Sequence, residues 1–267
     1  MIDWRHWHNE PYLIGGLIFL GWLYAILAGP LRVRLAPGVG YPRAQAIKFY
    51  SALVIFYLAV GSPLDQIGER FLFSAHMLQH QLLVYPAAIF FLLGLPAWMI
   101  DPVLGRRGLR PLVRFIVHPV VAGLIYVLVL SIWHFPSLYD WALRDKVVHV
   151  IEHVMFFGAG LIYWWPQLSP SKVAPPISFG SQMLYQFGVI IGLTPLFAYV
   201  TFMTDILYPT YEFAPRLFAD FSAANDQLLS GVMMKMMSIM VGVAAIGTSF
   251  YRWYQAVEKD SVAKPRP

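Results

Sequence analysis

Residues 71–95, FLFSAHMLQHQLLVYPAAIFFLLGL, run without an Asp, Glu, Lys or Arg. An α-helix crosses roughly 30 Å of hydrocarbon in about 20 residues, so this stretch is long enough to span a bilayer. Hydropathy read outward from it gives seven spans, near 12–29, 44–61, 71–95, 118–134, 149–166, 181–204 and 227–250. Composition agrees: the 267 residues are 58% hydrophobic and 12% charged, where a soluble domain carries about 25% charge. The expected fold is an all-α integral membrane bundle of seven transmembrane helices. No repeat, low-complexity tract or long linker divides it, so residues 1–267 are read as one transmembrane domain.

The cations set the orientation. Arg32, Arg34 and Arg43 follow the first span, Arg106, Arg107, Arg110 and Arg114 follow the third, and Arg252, Lys259, Lys264 and Arg266 lie in the tail. The alternate loops carry Asp65, Glu69, Asp140, Asp205, Glu212, Asp220 and Asp226. Cytoplasmic loops gather Lys and Arg, so the N-terminus is expected outside and the C-terminus in the cytoplasm. The same loop distribution accounts for the net charge of +5, and no nucleic-acid partner is expected. The first span carries its positive charges after the apolar core, unlike a signal peptide. With no cysteine in the chain, disulfides, zinc–thiolate sites and thiol redox chemistry are excluded.

The quoted stretch also holds HMLQH, His76–His80, and a second apolar run holds HVIEH, His149–His153. Spacing of i, i+4 sets both imidazoles of a pair on one helix face. A single intramembrane histidine reads as a hydrogen bond to a neighbouring helix. Two matched pairs read as a metal or haem pocket, because ionisable groups in hydrocarbon are expensive and usually functional. With the third span running inward, His76 and His80 lie about 8 and 14 Å below its outer end. The fourth span ends at His134 and the fifth begins at His149, so five imidazoles from three helices are expected together in the outer part of the membrane. His118 reads as an interfacial residue, and His6 and His8 as a solvated terminus rather than metal ligands.

Imidazole suits copper, zinc and iron, and thioether favours Cu(I). Met77 sits inside the first motif, and Met233, Met234, Met236, Met237 and Met240 follow on the seventh span. Most of these methionines read as packing, with Met77 and Met233 as candidates to face the histidines. A thiol-free His/Met site outside the cytoplasm reads best as copper, most naturally Cu(I). Glu152 can orient an imidazole, act as a ligand, or sit solvated at the interface. Asp65 and Asp226 read as a cation-collecting funnel on the outer side. Lys235, deep in the seventh span, should pair with an acid or help expel a metal.

Two stretches carry a resemblance to a known family. Residues 62–98, SPLDQIGERFLFSAHMLQHQLLVYPAAIFFLLGLPAW, and 133–166, WHFPSLYDWALRDKVVHVIEHVMFFGAGLIYWWP, resemble the signatures of the seven-helix CtaG-type cytochrome c oxidase assembly factors. NDQLLSGVMM from Asn225 agrees more weakly, and MMKMMS follows where the family carries a Trp-Pro-Gly-like turn. The resemblance implies a non-enzymatic protein of the bacterial plasma (inner) membrane that helps mature a haem–copper oxidase by handling copper. The motif histidines carry over to His76, His80, His134, His149 and His153, and the acidic positions to Asp65, Glu152 and Asp226. The implied partners are the lipid bilayer, the oxidase subunit holding the haem–copper centre and a periplasmic copper donor. A b-type cytochrome with haem b between paired histidines, a di-metal membrane oxygenase and a purely structural oxidase-binding protein are the alternatives.

Overall fold

The computed structural model describes residues 7–263, with side chains as far as residue 259. Among them 78% are helical and none is in a strand. The longer helices are α1 (Pro11–Ala28), α2 (Arg43–Val60), α3 (Pro63–Arg70), α4 (Phe73–Gly94), α5 (Ala97–Leu104), α6 (Leu109–Ile116), α7 (Pro119–Trp133), α8 (Pro136–Arg144), α9 (Lys146–Leu168), α10 (Phe179–Gly192), α11 (Thr194–Phe202) and α12 (Ala223–Ala263). Single-turn helices occupy Arg32–Leu35 and Pro209–Glu212.

Local chemistry explains most of the boundaries. Ser62 and Pro63 start α3, the serine hydroxyl accepting from the Leu64 N–H at 3.2 Å. Asp145 starts α9 by accepting from the Val147 and Val148 N–H groups at 2.8 and 3.2 Å. Such caps satisfy amides that the first turn of a helix leaves without partners. The cap of α4 comes from far away: Asp226 of α12 accepts from the Phe73 and Ser74 N–H groups at 2.6 and 3.0 Å.

Helix α4 changes register midway, with a π turn over Leu83–Ala87 around Pro86. Proline has no N–H, and in an α-helix its ring would strike the Leu82 carbonyl; the wider turn relieves both problems. The stretch expected at 181–204 is likewise broken, α10 ending at Gly192 and α11 restarting at Thr194 with Pro195 in its first turn. The expected fourth span, 118–134, contracts to the 15 residues of α7, and α6 meets it at 67°. Among the described residues six spans are therefore long and apolar enough to cross a membrane, α10 and α11 together making one of them, or seven if α6 and α7 count as one bent span.

Helices α4, α9, α7, α10 and α12 pack in sequence around a core, with α11 continuing α10 along α12 and α2 lying outside α4. Tyr126, Tyr163 and Tyr185 fill the middle, Tyr126 stacked on Tyr163 at 4.3 Å. At one end of the bundle Gln167, Gln182, Gln186 and Ser249 join α9, α10 and α12 in a buried polar network. At the other end α3, α8 and residues 203–222 close over the histidines. Helix α1 leans on α2, where Tyr24 stacks on Phe49 at 4.2 Å and donates to the Gly94 carbonyl of α4 at 2.9 Å. Of α1 itself only Tyr24 and Ala28 are buried.

Candidate metal centre

The two motif faces turn toward each other across the contact between α4 and α9. Gly160 permits that approach: a Cβ there would lie 2.9 Å from the Val84 Cα on the π turn, closer than two carbons can pack. Within the pairs, ring centroids are 4.5 Å apart for His76 and His80 and 4.2 Å for His149 and His153. Across the helices His76 lies 5.2 Å from His149 and 5.6 Å from His153, and His80 lies 5.5 Å from His153. Glu152 reaches between them, its carboxylate oxygens 3.5 Å from His76 Nε2 and 3.7 Å from His80 Nε2.

One ligand atom from each of His76, His149, Glu152 and His153 falls within 4.8 Å of the others, and all four residues are buried. The Nε2 atoms of His76, His149 and His153 and both Glu152 oxygens have no hydrogen-bond partner. Buried polar atoms are nearly always paired, and each orphan costs about 1–3 kcal/mol. Several orphans converging on one point fit a bound cation, which would satisfy them together. His80 adjoins the group, stacked on Phe156 at 3.8 Å with both ring nitrogens unpartnered.

Proton counting fixes the tautomers. Tyr211 donates its only proton to the Gly68 carbonyl at 2.7 Å. Tyr139 lies 2.9 Å from the Tyr211 oxygen and must donate to it. The 2.8 Å contact between Tyr139 and His76 Nδ1 then has the imidazole as donor, which leaves a lone pair on Nε2 facing Glu152. Burial pushes both phenols well above their ordinary range, so both protons stay in place. On the other helix His149 Nδ1 lies 2.9 Å from a Glu69 oxygen, which makes its Nε2 the free lone pair. Imidazole ligands typically donate their second N–H to an oxygen in this way. Burial works to raise Glu69, but the His149 hydrogen bond together with the charges of His149, His8 and His76 outweighs it, and the carboxyl sits below its ordinary value.

His134 is near but turned differently. Its Nδ1 donates to the Leu130 carbonyl at 2.7 Å, and Nε2 faces the Met77 sulfur at 3.2 Å. A neutral imidazole has one N–H, so a nitrogen lone pair and a thioether meet here. Met233 is half-buried and packs on the core. Asp226 is no funnel: fully buried, it is occupied in capping α4. Asp65 is also buried, accepting from the Gln79 amide at 2.6 Å and paired with His8 Nδ1 at 2.7 Å. His8 is therefore half-buried and bound rather than solvated, and the Asp65 hydrogen bond lifts its imidazole above the ordinary value against the pull of burial. His6 lies outside the described residues, as do Lys264 and Arg266. Among the described residues Lys235 pairs with no acid; its ammonium donates to Thr194 Oγ1 at 2.7 Å and Ile190 O at 3.4 Å, at the break between α10 and α11. His118 is exposed at the start of α7.

Tyr139, Tyr211 and Glu69 were not singled out as site residues from the sequence. Tyr139 stands within the WHFPSLYD motif and Glu69 in the SPLDQIGER segment, but no spacing rule ties either to a histidine. No curated protein and no solved structure matches the chain. The family model described as cytochrome c oxidase caa3 assembly factor matches residues 22–256, a stretch holding every residue of the cluster. The chain belongs to the cytochrome c oxidase caa3 assembly factor family.

Proposed function

We propose that this assembly factor carries copper as cargo, holding it among His76, His149, His153 and Glu152 and passing it to the oxidase subunit that contains the haem–copper centre. One observation carries the reading: four buried ligand atoms within 4.8 Å, on two helices, with their lone pairs unpartnered. Three neutral imidazoles and one carboxylate hold a monovalent cation with no net charge, the arrangement hydrocarbon tolerates best. The thioether of Met77 facing His134 Nε2 adds the soft donor that distinguishes Cu(I) from zinc or iron. His80, with both nitrogens unpartnered, supplies an adjacent imidazole onto which an ion can step.

In the cell the protein is read as a seven-span protein of the bacterial plasma membrane, with the α6–α7 pair as one bent span. The histidine end faces outside, as the Lys and Arg of the opposite loops require. There it can take copper from a periplasmic donor and release it sideways to a partner bundle at similar depth. It acts without catalysis. A haem between the paired histidines fits less well, because rings 4.2–5.6 Å apart with Phe156 stacked on His80 leave no slab for a macrocycle.

Metal analysis with an absorption spectrum on detergent-purified protein tests this reading, beside the His76→Ala/His80→Ala double variant. Near-stoichiometric copper, lost in the variant and without a Soret band, is the expected result. A Soret band would move the protein to the cytochromes. No copper after Cu(I) loading would leave the cluster without cargo and the proposal without support.

A further inference from the structure

Beside the central cluster lies a second convergence of ligand atoms. His8, Asp65 and Glu69 bring one atom each within 4.8 Å of the others. They come from the segment before α1 and from two successive turns of α3, and the His8 N–H donates to the Gly61 carbonyl at 2.9 Å, which seats that segment against the end of α2. We propose that these three residues form a separate outer site for a divalent transition-metal ion, standing before the central cluster on the path into it. The proposal extends the reading of the central cluster as a metal site.

Three observations support it. A cavity of about 330 Å³ opens between α1, α2 and α9. His8, Asp65 and Glu69 line one end of it, together with His149 and His153, so the two ligand groups share one space. Both those histidines keep a buried, unpartnered Nε2, so residues that wall the cavity also carry the vacant ligand atoms of the central cluster. Glu69 joins the groups directly, because one of its oxygens holds His149 Nδ1 at 2.9 Å. The other charges facing the cavity are Lys146 and Glu10, which pair with each other, so the ammonium does not oppose a cation.

Ligand chemistry separates the two sites. One imidazole with two carboxylates is a harder set than the three imidazoles and one carboxylate further in, and it suits divalent ions such as Co(II), Zn(II) or Cu(II). Binding there displaces the proton His8 shares with Asp65 and releases it to water. No electron is exchanged.

The test is the number of Co(II) ions bound, measured by equilibrium dialysis and the visible spectrum of full-length protein in detergent. Wild type should bind two, His8→Ala one, Asp65→Asn one and His153→Ala one. His8 precedes the first helix, so its removal leaves the bundle intact, and Asp65→Asn keeps an oxygen for Gln79. A wild-type stoichiometry that neither His8→Ala nor Asp65→Asn lowers overturns the proposal. Two ions in His153→Ala with one in His8→Ala would sink the reading of the central cluster and keep the outer site. No ion in wild type would overturn both.

Discussion

Histidine tautomers decide what the cluster can do. His76 presents its Nε2 lone pair because a chain of two tyrosines drains its Nδ1 proton toward the Gly68 carbonyl. Removing the first hydroxyl with Tyr139→Phe leaves only Tyr211, 3.2 Å away, to receive that proton. Loss of such an outer partner costs about 10–100-fold in metal affinity, and with Tyr211 in reserve the expected loss is near tenfold, read by competition with a chelator. Removing the ligand itself is more severe. His76→Ala or His153→Ala should abolish oxidase maturation while the protein stays in the membrane; normal oxidase activity and copper content in those strains would refute the assignment. The His8–Asp65 pair gives a pH signature. Its imidazole is raised above 6.5 in the folded protein, so the attachment it provides is complete below 6.5 and fades as pH rises through the folded-state value. Amide exchange at His8 should therefore accelerate, beyond the intrinsic base-catalysed rise, as pH climbs through neutrality in wild type but not in Asp65→Asn. A flat wild-type profile would contradict this.

At the scale of elements, what was legible followed the range of the interaction. The i, i+4 pairs are visible in sequence because the helix repeat alone brings His76 over His80 and His149 over His153. Nothing local joins Tyr211 to His76, 135 residues apart, or Asp226 to Phe73, 153 apart; those pairings exist only once the bundle closes. Asp226 misleads for the same reason, since an acid flanking an apolar run looks solvated until its amide partners are known. The breaks in α4 and α10–α11 had a visible cause in Pro86 and Pro195, whose consequence depends on what packs beside them. The contact of Gly160 with Val84 belongs to this scale. Gly160→Ala gains helix propensity but forces a methyl to within 2.9 Å of backbone, and overpacking of this kind costs about 1–3 kcal/mol. Thermal unfolding in detergent should show a lower transition, and metal binding should weaken as α9 moves off α4. Unchanged stability would mean the helices part without cost.

For the whole molecule, composition alone placed the chain in a membrane, and the cation distribution supplied an orientation that the packing of helices does not carry. The absence of cysteine makes that orientation directly testable. Asp220→Cys, at the histidine end, should react with an impermeant maleimide in intact cells, while Arg107→Cys, at the other end, should react only after permeabilisation. The reverse pattern would turn the molecule over and place the cluster on the cytoplasmic side.

In the orientation proposed above, with the histidine end outside and copper as cargo, the placement of the cluster at one end of the bundle couples it to the voltage across the membrane. A cation drawn from outside to a depth of about 8 Å crosses roughly a quarter of the hydrocarbon. At 100 mV, negative inside, that displacement favours loading by about 0.6 kcal/mol per charge, a little under threefold in occupancy. An energised cell would thus fill the carrier more completely than a depolarised one at the same external concentration, and the same field would hold the ion until a partner's ligands reach it from the side.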